Sequence, residues 1–263
     1  EASHQAGDGR DPETDTGIYD APARRAFHEM TPIRYFPTEP GRIFRKVAYG
    51  PLLDVFFVDL RSYRSPNQGG TENGLFGWRQ ADWLRRELAA SKAVWKIIAC
   101  DMPLGLVIWD DYANSLGYEG VADGLNGPPA AREREIADLL SFMRDNAIHN
   151  VVWLTADVHY TAAHHYVPSR AKFQEFNPFW EFVSGPLHSG TYGPKPLDMT
   201  FGPEVRFIKS SEGGIDSNLP PSAGLQFFGI VDINGSSEEM TVRLMDRENQ
   251  ELWQIVLPPV RSS

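Results

Sequence analysis

The residues of this chain best suited to chemistry are Asp157 and His159, in the run Thr155-Ala156-Asp157-Val158-His159-Tyr160. A carboxylate and an imidazole two positions apart point to one face if the chain stays extended, because side chains alternate with period two along a strand. Such a pair can grip one ion or bridge two. Carboxylate plus imidazole suits iron, zinc or manganese, and further carboxylates would suit calcium. The plainer alternative is that Asp157 caps a turn and His159 packs beneath a loop, since two ligands are too few for a catalytic metal site. His164 and His165 follow, but adjacent strand residues face opposite ways, so at most one could join the site.

Two further segments carry suitable groups. In Asp59-Leu60-Arg61-Ser62-Tyr63-Arg64-Ser65-Pro66, Arg61 and Arg64 each offer a planar fork that matches phosphate oxygens. The competing role is a structural ion pair between Asp59 and one of the arginines. In Ser184-Gly185-Pro186-Leu187-His188-Ser189-Gly190, small residues would let a substrate approach the backbone, and His188 could meet a phosphate or serve as a general acid. The chain has no P-loop, G-x-G-x-x-G, G-x-S-x-G or H-E-x-x-H pattern, which removes the common NTPase, dinucleotide, serine-hydrolase and zincin readings.

These segments follow apolar runs. Residues 55–58, 94–100 and 151–156 read as buried strands, each followed by or ending in an aspartate: Asp59, Asp101 and Asp157. Between them, 79–91 has helical spacing through Gln80, Trp83, Leu84 and Leu88, and 130–147 through Ile136, Leu139, Leu140 and Met143. A long Gly/Asp/Asn/Pro loop occupies 103–129, and a short helix is expected across 21–34, stopped near Pro32. Strands alternating with helices imply a mainly parallel or mixed sheet, whose carboxyl edge is where ligands gather. Beyond residue 175, short apolar runs at 179–183, 205–208, 225–233, 240–245 and 252–257 read as antiparallel β, with Asn234-Gly235 as a hairpin turn. Residues 1–20 read as a mobile lead-in and 21–263 as part of one domain, in an α/β class.

Composition narrows the partners. With 263 residues, 41% hydrophobic and 23% charged, the chain can bury a sizeable core. A net charge of −10 argues against nucleic acid or an anionic membrane surface as partner. A phosphorylated substrate remains compatible if metal ions supply local positive charge. No apolar run approaches the roughly 20 residues of a membrane span. The polar, acidic start carries no signal peptide, as a processed exported protein also would not. Cys100, the single cysteine, sits in an apolar run and is expected to be a buried thiol.

Taken together, five motifs in order resemble the alkaline phosphatase D (PhoD-like) family. Residues 55–65, Val-Phe-Phe-Val-Asp-Leu-Arg-Ser-Tyr-Arg-Ser, are similar to its "LDTRQYRS" segment, and 76–84 to its "LG-x-x-Q-x-x-W-L" helix. Pro129 to Arg134 resembles "YPAERER", 151–159 resembles "VVVLTGDVH", and Arg24 to Met30 resembles "AYQAWYEHMP". The resemblance implies a calcineurin-like four-layer α/β/β/α sandwich with mixed sheets and a multinuclear metal site that hydrolyses phosphate mono- or diesters. It implies iron with calcium, other divalent metals being possible, and a secreted or periplasmic location. On this footing Asp157 and His159 become metal ligands, with Arg64 and His188 as catalytic candidates.

The family's remaining ligands lie in an N-terminal half whose motifs are absent from this chain. A Cys after the first strand, an Asp with a nearby Tyr, and a "W-D-D-H-E" segment all have no counterpart here. The expectation is therefore a C-terminal portion needing an N-terminal companion, either a separate chain or a cleaved fragment, and inactive without it. Ala156 stands where a Gly is usual, and Leu125-Asn126-Gly127-Pro128 where the family tends to have "W-D-G-Y". Two alternatives follow: a phospholipase-D-like phosphodiesterase, with the aromatic loop of Trp109, Tyr112 and Tyr118 holding an organic leaving group, or a non-catalytic subunit that has lost its metal half.

Overall fold

A computed structural model describes residues 17–65, 67, 74–111, 116–214 and 217–261. Its centre is a seven-stranded mixed sheet in the order β1-β2-β3-β6-β8-β7-β9. The strands are β1 Arg45–Tyr49, β2 Leu53–Phe57, β3 Trp95–Ala99, β6 Val151–Thr155, β7 Thr161–Tyr166, β8 Phe179–Val183 and β9 Pro203–Lys209. β2, β3, β6 and β8 run parallel, while β1, β7 and β9 pair antiparallel with their neighbours. The parallel core follows from the crossover helices α2 (Gly77–Ala90) and α3 (Glu133–Asp145).

Both sheet faces are buried. On one, Gln80, Trp83, Leu84 and Leu88 of α2 and Ile136, Leu139, Leu140 and Met143 of α3 are buried, as their spacing predicts, and the apolar ones pack on Phe56, Ile98 and Trp153. On the other, Trp95, Ile97, Val152 and Phe182 meet Met240, Val242 and Leu244 of a three-stranded antiparallel sheet. That sheet is β10 (Phe227–Ile233), β11 (Met240–Asp246) and β12 (Glu251–Leu257). The described residues thus form a helix layer, a large mixed sheet and a small sheet, three layers in all. A third apolar cluster, Leu106, Ile108, Val158, Tyr160, Ala162 and Val183, includes residues from the loops that follow β3 and β6.

Several expectations change. Gly17–Asp20, read as lead-in, belong to helix α1 (Gly17–Met30), and residues 1–16 lie outside the described residues. Phe179–Val183, read as part of an antiparallel half, is parallel to β6. The loop at 103–129 contains a hairpin, β4 Trp109–Asp111 with β5 Leu116–Tyr118. Asn234-Gly235 does begin the β10–β11 connection, where Asn234 Oδ1 accepts from Ser236 N and Ser237 N. Cys100 is buried, donates to Met102 O at 2.9 Å, and has its pKa pushed up by that burial.

Candidate active-site rim

Three loops leave the carboxyl ends of β2, β3 and β6 and meet. The β2 loop is fixed locally. Asp59 is buried and its Oδ1 accepts from Arg61 N (3.0 Å) and Ser62 N (2.9 Å). Gln80 of α2 clamps the same residue, its Oε1 accepting from Asp59 N (2.7 Å) and its Nε2 donating to Asp59 O (2.8 Å) and Phe76 O (3.0 Å). The expected ion pair between Asp59 and an arginine side chain is replaced by this turn, because the aspartate is spent on backbone N–H groups. The turn aims Arg61 across the rim instead.

Arg61 is the hub. Its Nε donates to Asp101 Oδ2 (2.9 Å), its Nη1 to Glu119 Oε1 (2.8 Å) and its Nη2 to Asp157 Oδ1 (2.8 Å). It therefore ties the β3 end, the residue after β5 and the β6 end into one array. Beneath it, Arg64 has a fully enclosed side chain, donates to Glu119 O (2.7 Å), and lies 3.6 Å from Glu119 Oε1. Burial lowers its pKa to about 10. Arg132 is a second buried guanidinium, donating to the carbonyls of Ser65, Tyr118, Glu119 and Gly120, and burial lowers its pKa to about 9. Two buried arginines thus hold the strip that presents Glu119.

Asp157 and His159 meet differently from the extended geometry. β6 stops at Thr155, and both residues take positive φ (68° and 59°), so the chain turns sharply and the period-two argument does not apply. Desolvation raises the Asp157 pKa, against the lowering by Arg61. His159 Nδ1 lies 2.8 Å from Gly190 O and its ring is 5.1 Å from that of Tyr192. A carbonyl can only accept, so Nδ1 carries a proton, and in the neutral imidazole this leaves the lone pair on Nε2, the arrangement usual for a metal-ligating histidine. Among the described residues, Nε2 of His159 and Oδ2 of Asp157 have no hydrogen-bond partner. The donor set fits a cation: three carboxylates, Asp101, Glu119 and Asp157, share the rim with Arg61 and the buried Arg64, and His159 follows Asp157 on the same turn.

His188 is exposed on the loop after β8, two residues before the carbonyl that holds His159. His164 and His165 face opposite ways, as adjacency requires. His164 is fully buried against Glu181 (3.1 Å), and His165 stacks on Trp180 at 4.4 Å. Of the aromatic loop, Trp109 and Tyr118 lie 5.3 Å apart, while Tyr112 is outside the described residues.

A second acidic group was not anticipated. Asp123, Glu133 and Asp198 are buried with ligand oxygens within 4.8 Å of one another. Burial, then Asp123 and Asp198, push the Glu133 pKa up to about 8. The group is compatible with a bound cation. Sequence offered little signal for it, as Asp198 is 65 positions from Glu133.

The fold and rim define a mixed α/β protein whose strand ends bring together carboxylates, arginines and a histidine. Residues 2–244 match the family model described as PhoD-like phosphatase, and the chain belongs to that family. It is 27% identical over 221 residues to alkaline phosphatase D of Bacillus subtilis (strain 168), covering 76% of this chain and 37% of that protein. A solved structure titled "Structure of PhoD" superposes with a TM-score of 0.60 at 18% identity, covering 97% of this chain and 49% of that one. The chain therefore spans half or less of these relatives.

Proposed function

We propose that this chain is the C-terminal portion of one domain of a metallophosphoesterase that hydrolyses phosphate esters with metal-activated water. The observation that carries the reading is the pair Asp157 and His159 on one turn at the end of β6, with Asp157 Oδ1 held by Arg61 and His159 Nδ1 held by Gly190 O. Asp157 and His159 would hold metal, with iron and calcium the ions that the family resemblance suggests. Bound metal would supply Lewis-acid charge and a water of lowered pKa. Glu119 and Asp101 keep the rim anionic, and Arg61 organises it. His188, exposed on the loop after β8, would meet a phosphate oxygen or leaving group. Arg64, enclosed beneath Glu119, would act on phosphate through the field it adds to the rim.

Two ligands cannot complete a centre, so an N-terminal half, on a separate chain or a cleaved fragment, would supply the others and the fourth layer of an α/β/β/α sandwich. The location proposed is secreted or periplasmic. No described helix is long and apolar enough to cross a membrane. The test is turnover of nitrophenyl mono- and diesters by the chain with and without its N-terminal half, with chelator controls. Chelator-sensitive turnover that requires the companion and falls at least about 100-fold in Asp157→Ala is expected, the upper end of what supporting groups of metal sites contribute. Undiminished turnover by D157A rejects the ligand assignment.

A further inference from the structure

Three carboxylates that converge on one guanidinium leave a choice between two roles for Arg61. It can simply neutralise charge, or it can fix geometry. The distances favour geometry. Each of three nitrogens takes one carboxylate oxygen at 2.8–2.9 Å, from three separate loops, and Asp59 fixes the arginine backbone from below. Asp157 gives Oδ1 to this fork, which leaves Oδ2 for another partner, and His159 lies on the same turn. A carboxylate on a tight turn with positive φ at Asp157 has no strand neighbour to restrain it. The guanidinium is its described side-chain anchor.

We propose that Arg61 is a positioning residue: by holding Asp157 Oδ1, and by spanning Asp101 and Glu119, it aims Asp157 Oδ2 at the cation shared with His159. This rests on Asp157 and His159 being ligands. Lysine separates geometry from charge, because its ammonium is a point charge that cannot span three carboxylates in a plane. Were Arg61 only a counter-charge, Lys would replace it without loss, and a neutral residue would make the rim more anionic and tighten cation binding.

The experiment is calorimetric titration of the chain joined to its N-terminal half with Mn²⁺ alone, for wild type, Arg61→Lys, Arg61→Gln and Asp157→Asn, with the melting temperature of each metal-free protein measured alongside. The D157N chain defines the heat that belongs to this site. Dissociation constants about 10-fold or more weaker in both R61K and R61Q are expected, the scale on which groups supporting metal ligands act, with metal-free melting of R61K close to wild type. R61K binding as tightly as wild type, or R61Q binding more tightly, overturns the positioning role and leaves the ligand assignment standing. Wild type taking up no more Mn²⁺ than D157N overturns the ligand assignment and this inference with it.

Discussion

Glu133 offers a quantitative test of how the protein tolerates its buried acids. It opens α3, is fully buried, and shares a 4.8 Å cluster with Asp123 and Asp198. Its oxygens accept from Asp123 N (3.3 Å) and Ala130 N (3.2 Å), so its burial is enforced by the backbone on both sides. With the folded pKa pushed up to about 8 and the ordinary value at 4.5, the sign follows from linkage. Below pH 4.5 both states hold the proton and the contribution is complete. Between 4.5 and 8 the unfolded chain ionises while the folded one stays protonated, so stability falls as pH rises. At about 1.4 kcal/mol per pKa unit, Glu133 alone removes about 3 to 4 kcal/mol between pH 5 and pH 8. Glu133→Gln abolishes this titration but loses one acceptor, at about 1 kcal/mol. Urea unfolding at a series of pH values should therefore show E133Q slightly less stable than wild type at pH 5 and more stable at pH 8, the two curves crossing between. Parallel curves would refute the shared-proton account. So would stabilisation of wild type at pH 8 by millimolar Ca²⁺ that E133Q lacks, which would make the occupant a metal.

Other expectations concern the supports of the rim and the core. Gln80→Ala should cost about 2 to 3 kcal/mol in denaturant unfolding, because it leaves buried backbone groups of Asp59 without partners. Trp153→Ala, in the centre of the sheet and fully buried, should cost about 3 to 5 kcal/mol by the same measurement. The Cys100 thiol, buried and with its pKa pushed up, should react with a disulfide reagent only after denaturant is added.

The layered core was legible in sequence because packing obeys periodicity. Trp83, Leu84 and Leu88, and Ile136, Leu139, Leu140 and Met143, had to share faces, and they do. The apolar runs before Asp59, Asp101 and Asp157 likewise had to be buried strands with polar ends. Legibility failed where tertiary pairing overrides local pattern. β7, Thr161 to Tyr166, is small and polar in sequence yet almost wholly buried, since Glu181 of β8 accepts from Tyr166 Oη at 2.7 Å and meets His164. β1 has no alternation that marks it, because it is an edge strand with one face open. At the rim, the D-x-H spacing predicted an extended pair, whereas the strand ends before it and both residues turn at positive φ. Glu119 and the role of Arg61 were hidden because partners 40, 58 and 96 positions away decide them.

The central claim is that a cation sits between Asp157 and His159. Anomalous diffraction from Mn²⁺-soaked crystals of the chain joined to its N-terminal half tests it directly. The account predicts a peak at bonding distance, roughly 2.0–2.6 Å, from Asp157 Oδ2 and His159 Nε2. Manganese found only among Asp123, Glu133 and Asp198, with the rim empty and Arg61 unmoved, would contradict it.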